Sequence, residues 1–324
     1  MVAVTLVGIV MGVFATGCAG QHADSSARPR PRSRSADTLK RRDRDRGQRG
    51  ALDDRVGWPW RVAMTTVTFT DMSRATRPRG TDVGHAGRRI TTVLRWPVAA
   101  NGRPVPGRLP LVVFAHGYAV QTSTYAALLD DVAAAGSVVA APEFPGESAA
   151  LPGAPDEADL ANEPCDVEFV ANTIERAPPP EISDAILAGG VVFVGHSDGA
   201  TAVAAAAYQN HSCAGPSPVA VVALSVRDVP IDLGPGSQSP LLLAVTGTAD
   251  QINPEYNTVQ LFHHVRPPAW LLTVDDGTHL GTFTTDPVRQ QVSTVIAAFI
   301  RSTAHDQPID LRAQSGGRLH LTSR

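Results

Sequence analysis

One short stretch limits what this chain can fold into. Residues 191–207 read VVFVGHSDGATAVAAAA. Val191, Val192, Phe193 and Val194 are wholly apolar, which predicts a buried strand, and the alanine-rich run that follows without a spacer predicts a helix. Between them stands Gly195-His196-Ser197-Asp198-Gly199, a G-x-S-x-G sequence in the strand-turn-helix setting that gives the pattern chemical meaning. A backbone that reverses so quickly is strained at the serine, and side chains at 195 and 199 would collide across the bend. The turn lifts the Ser197 hydroxyl above the sheet and sets it at a helix N-terminus, where free N–H groups favour developing negative charge. The same residues also describe a Gly-Ser turn capping an ordinary helix, so a nucleophile needs partners elsewhere in the chain.

Strand and helix patterns alternate around this turn. Residues 61–70 and 88–96 alternate in polarity as half-exposed strands, separated by a Gly- and Arg-rich loop, and read as an antiparallel edge. Residues 111–115 form an apolar strand, 122–135 a helix with Leu128, Leu129 and Val132 at helical spacing, and 137–141 another strand. A loop-like segment reaches Pro164, and 166–175 is helical. Strands at 219–226, 241–246 and 270–274 alternate with helices at 254–265 and 287–300. This order specifies an α/β fold: a mostly parallel, eight-stranded sheet with helices on both faces. A chain of 324 residues accommodates one such core, assigned to 61–304, and the polar residues 305–324 read as a flexible tail.

The N-terminal part has a different character. Residues 1–18 form an apolar run ending in Ala15-Thr16-Gly17-Cys18, which reads as a signal peptide with a lipobox-like end, although no Lys or Arg precedes the apolar core. Lipidation of Cys18 would anchor an exported protein to the outer face of the bacterial cytoplasmic membrane; the alternative is secretion. Residues 19–60 read as a disordered basic tether, because they hold too little apolar surface to offset the entropy of ordering. Between residues 22 and 61 there are 12 Lys or Arg against 6 Asp, leaving 16 basic and 25 acidic residues in the remainder. An acidic body argues against nucleic acid as partner. With Cys18 set aside, Cys165 and Cys213 remain as a candidate disulfide in an exported protein, or as two buried thiols.

A serine hydroxyl needs a base, and the base needs an orienting acid. Among ten histidines, His263 and His264 fall within a predicted helix, His116 precedes a loop and His196 points along the elbow. His279 stands in a Gly-rich loop directly after a strand, and in a parallel sheet that loop emerges on the same carboxyl edge as Ser197. Asp250, leaving the strand 241–246 before Pro254, is the leading acid, and Asp228 is the reserve. The backbone N–H groups of Asp198 and Tyr118 are the candidate oxyanion donors, with the Asp198 carboxylate an unusual occupant that must point away or be paired.

With these residues assembled, the sequence resembles the α/β-hydrolase superfamily. Within it, the chain is most similar to the bacterial group related to platelet-activating-factor acetylhydrolase, chlorophyllase-like proteins and cutinase-like polyester hydrolases. The likeness is carried by FTDMSR, RRITTVLRWP, LPLVVFAHGY, VVAAPEFPG, CDVEFV, VGHSDGA, LLLAVTGTADQINP and DDGTHLG, in that order between residues 67 and 299. It implies Ser197 as nucleophile, Asp250 as acid, His279 as base, and Tyr118 and Asp198 as oxyanion donors. The related dienelactone hydrolases carry cysteine where Ser197 stands, so the resemblance disfavours that activity. The expected protein is a monomeric serine esterase acting on a lipid, polyester or small acyl ester, with no metal or organic cofactor. A non-catalytic envelope binding protein on the same scaffold and an acyltransferase are the alternatives.

Overall fold

The apolar runs 111–115, 191–194, 220–224 and 241–245 lie inside one mixed sheet. The computed structural model describes residues 58–103, 105, 107–209, 213, 215–227 and 240–324. Cys18, the signal-like run, the tether as far as residue 57, and Asp228 lie outside the described residues. The strands are β1 (Arg61–Asp71), β2 (Arg88–Val98), β3 (Leu109–Ala115), β4 (Val138–Glu143), β5 (Ile186–His196), β6 (Ala220–Leu224), β7 (Leu241–Gly247), β8 (Ala269–Val274) and β9 (Leu319–Ser323). They lie in the order β1-β2-β4-β3-β5-β6-β7-β8-β9. The run from β4 through β8 is parallel, and β1, β2 and β9 add antiparallel edges.

The described helices are α1 (Ala126–Ala134), α2 (Glu163–Arg176), α3 (Asp198–Tyr208), α4 (Glu255–His264), the single turn α5 (Gly281–Thr284) and α6 (Val288–Ala304). Strands covered on both faces alternate their apolar side chains between two cores. In β3, Leu111, Val113 and Ala115 face the core built with α2, α3 and α4, while Val112 and Phe114 face that built with α1 and α6. No helix among the described residues is long and apolar enough to cross a membrane.

The segment expected to be a flexible tail is ordered in part. Leu319–Ser323 pairs antiparallel with β8, from Val274↔Leu319 to Trp270↔Ser323, and so supplies a ninth strand. Leu311 and Leu319 are buried in the α1/α6 core. The polar composition hid this strand, because an edge needs only a few apolar residues once its backbone completes the open ladder of β8. Likewise the expected loop up to Pro164 contains a 3₁₀ helix, Glu157–Asn162, and α2 begins at Glu163.

This loop is held by buried charge. Arg88, on β2 and 1% exposed, donates from Nε and Nη2 to Asp166 at 2.6–2.9 Å and from Nη1 and Nη2 to Asp159 at 3.1 and 2.5 Å. Asp159 also accepts the backbone N–H of Gly146 at 3.0 Å. Cys165 in α2 and Cys213 beyond α3 are disulfide-bonded, with Cα atoms 5.4 Å apart, within the usual span of such a bridge. That bridge ties the helix next to α3 to the segment that leaves α3.

Candidate active site

The parallel register decides which loops meet. Ala115 pairs with Gly195 at the end of β3, and His196 pairs with Leu224 at the end of β6. Residues that follow β3, β5, β6, β7 and β8 therefore emerge along one edge. A cleft of about 750 Å³ opens there, lined by Tyr118, Ser197, Arg227, Asn253 and His279 among others.

Ser197 sits at the N-cap of α3 with φ 58° and ψ −120°, a conformation L-residues rarely adopt. The flanking glycines make the bend feasible. A Cβ on Gly195 would lie 2.2 Å from the Gly199 carbonyl oxygen, and one on Gly199 would lie 2.2 Å from that of Ala115. The turn is pinned to β6, where Ser197 N–H donates to the Leu224 carbonyl at 2.9 Å. The Asp198 N–H, first in α3, has no intrahelical partner and is free in principle to meet an anion. Beside it, the 116–118 loop presses on the serine, since a Cβ on Gly117 would stand 3.0 Å from Ser197 Cβ. Tyr118, half-exposed, donates its hydroxyl to the Pro155 carbonyl at 3.2 Å.

Asp250 and His279 come together across 29 residues of sequence, with His279 Nδ1 2.8 Å from Asp250 Oδ2. The other carboxylate oxygen accepts the backbone N–H groups of Ile252 and Asn253 at 3.0 and 2.9 Å. Burial pushes the Asp250 pKa up, but these hydrogen bonds outweigh it and hold the carboxyl below its usual range. An ionised acid on Nδ1 orients the imidazole with its other nitrogen available as a base.

His196, which its sequence position alone gave no role, supports this histidine. Its Nε2 lies 2.9 Å from the His279 carbonyl oxygen, which can only accept, so Nε2 carries the proton. Nδ1 then accepts from the buried Tyr125 hydroxyl at 2.8 Å. Burial first, and the neighbouring His279 second, lower the His196 pKa to about 3, so it stays neutral in this arrangement. His196 thus holds the His279 backbone in place. Adjacency to the serine was its only sequence signal.

Asp198 raised the question of a carboxylate beside an oxyanion. Its Oδ2 accepts from Arg227 Nη1 at 2.8 Å, and Arg227 also pairs with Glu157. The guanidinium compensates the charge and draws the carboxylate into an ion pair. Even so, burial raises the Asp198 pKa against the opposing effect of Arg227.

Two further carboxyls, Glu147 and Glu163, are fully buried near Asp198. Burial pushes Glu147 up to about 8, with the charges of Asp198 and Asp159 adding to the rise and Arg227 opposing it. Burial and the Glu147 charge push Glu163 well above the ordinary carboxylate range. Groups that hold protons more tightly folded than unfolded stabilise the fold fully at low pH. For Glu147 that contribution is lost as pH rises from about 4.5 to about 8. The melting temperature is expected to fall across that window, and to fall less steeply in Glu147→Gln. Identical slopes in thermal melts of the two proteins would contradict this account.

A family model described as Chlorophyllase matches residues 96–228. The match includes Tyr118, Ser197 and Asp198 but ends before Asp250 and His279, whose pairing rests on geometry. No curated protein matches the chain. Among solved structures, a ferulic acid esterase from Streptomyces cinnamoneus aligns over 83% of this chain and 98% of its own, with TM-score 0.60 and 18% identity. At that identity the likeness speaks to architecture, and it agrees with the mixed sheet and covering helices described above. Over residues 96–228 the chain is thus similar to the Chlorophyllase family, and its architecture is similar to that of the ferulic acid esterase.

Proposed function

We propose that this protein is a serine carboxylic-ester hydrolase working through an acyl-enzyme. The observation that carries the reading is His279, held 2.8 Å from Asp250 and lining one cleft with a serine strained to φ 58° at a helix N-terminus. Ser197 attacks the ester carbonyl as His279 takes its proton, and the backbone N–H groups of Asp198 and Tyr118 receive the oxyanion. His279 returns the proton to the departing alcohol, then activates water to cleave the acyl-enzyme. The Chlorophyllase match and the ferulic acid esterase likeness support ester hydrolysis. Tyr118, Val120, Ile252 and Leu280 on the cleft wall suit an apolar acyl or aromatic group beside the ester.

The test is incubation of the purified protein with a fluorophosphonate and with nitrophenyl esters of graded acyl length. Label on Ser197 with ester turnover supports the reading, and a folded protein that does neither moves the binding-protein alternative to the front. From the apolar run that ends at Cys18 we further propose that the domain is exported, either lipid-anchored through Cys18 or secreted. A mature mass that retains residues 1–17 would refute that placement.

A further inference from the structure

We propose that Asn253 is a further catalytic residue, donating a hydrogen bond to the nucleophile's Oγ during acyl transfer; this rests on reading Ser197 as the nucleophile. Asn253 lies between β7 and α4, is 6% exposed, and stands three residues beyond Asp250. Its Nδ2 lies 2.8 Å from the Ser225 carbonyl oxygen and 3.2 Å from Ser197 Oγ. A carbonyl oxygen only accepts, so the Ser225 contact fixes the amide with its nitrogen toward the serine. The Asn253 backbone N–H meanwhile donates to Asp250 Oδ1 at 2.9 Å. A single residue thus touches the acid through its main chain and the nucleophile through its side chain.

The chemistry follows from the valence of a hydroxyl, which has one proton and two lone pairs. Asn253 occupies a lone pair, which leaves the Ser197 proton to be donated elsewhere. In acylation the Oγ–H bond breaks, the proton passes to His279, and the Oγ electron pair forms the bond to the carbonyl carbon. When the second tetrahedral intermediate collapses, the C–Oγ bond breaks, its electron pair returns to Oγ, and the proton on His279 joins it. Oγ carries extra negative charge in both passages, and a donor fixed upon it binds more strongly there than on the neutral hydroxyl. The bond therefore favours the transition states over the resting enzyme.

Asn253→Ala and Asn253→Asp in the full chain test this. Three quantities are read: the rate constant for fluorophosphonate labelling, kcat and KM on a nitrophenyl ester, and the melting temperature. In Asn253→Ala the labelling rate constant and kcat should fall about tenfold to a hundredfold, with KM within about twofold. Asn253→Asp should fall further, since a carboxylate oxygen would oppose charge on Oγ. Rates are compared well below each variant's melting temperature, where the folded fraction is near one, so stability and chemistry separate. Labelling and turnover rates equal to wild type, or a loss confined to label amplitude, would overturn the proposal and leave Asn253 as a strut of its turn. Failure of both variants to fold would assign it that same structural role. A wild-type protein that neither labels nor turns over ester would instead overturn the esterase reading itself.

Discussion

Replacing Ser197 with alanine is expected to lower kcat by about six orders of magnitude while the protein stays folded. Three features make the fold insensitive to the change. Alanine retains the Cβ, so the strained backbone at φ 58° meets the same sterics. The turn is tied to β6 by the residue's main-chain N–H, which alanine also has. Asn253 Nδ2, deprived of Oγ, still donates one N–H to the Ser225 carbonyl, and its second N–H borders the open cleft. The melting temperature should therefore stay within about 2 °C of wild type, because a change near zero in stability shifts it little. Ester turnover above about one per cent of wild type, in a preparation free of contaminating esterase, would sink the acyl-enzyme mechanism.

Asp250→Asn should cost about four orders of magnitude in kcat by a different route. The oxygen of the new amide would remain under the two backbone N–H groups that now bind Oδ1, turning the amide nitrogen toward His279. His279 would then accept at Nδ1 and carry its proton on the other nitrogen, with no lone pair left to take the serine proton. Labelling by fluorophosphonate should slow in parallel with turnover. Asp228→Asn is the comparison, since both aspartates follow strands in the chain order required. Turnover that survives Asp250→Asn and disappears in Asp228→Asn would reverse the assignment.

The elbow was legible because its physics is local. Apolar residues before it, glycines on either side and alanines after it specify strand, bend and helix without reference to the rest of the chain. The alternation of strands and helices made the parallel sheet readable, and a parallel sheet brings the loops after its strands to one edge. His279 and Asp250 could be short-listed on that ground, with Asp228 in reserve, as residues just beyond strands in the right order. The eight strands foreseen are all present, with ends shifted by a few residues; the ninth escaped because an edge strand leaves only a faint periodic trace.

Local patterning was thus enough for the fold class, the chain order of the loops on the carboxyl edge and a short list of residues able to do nucleophilic chemistry. How those residues are held emerged only from the packing of distant segments. His196 grips the carbonyl of a residue 83 positions away, Arg227 draws off the Asp198 carboxylate across 29, and Asn253 reaches Ser197 across 56. The difference is one of range. Periodicity and turn chemistry record what a residue needs from its own segment, whereas hydrogen-bond partners and buried charge are set by which segments the completed sheet brings side by side.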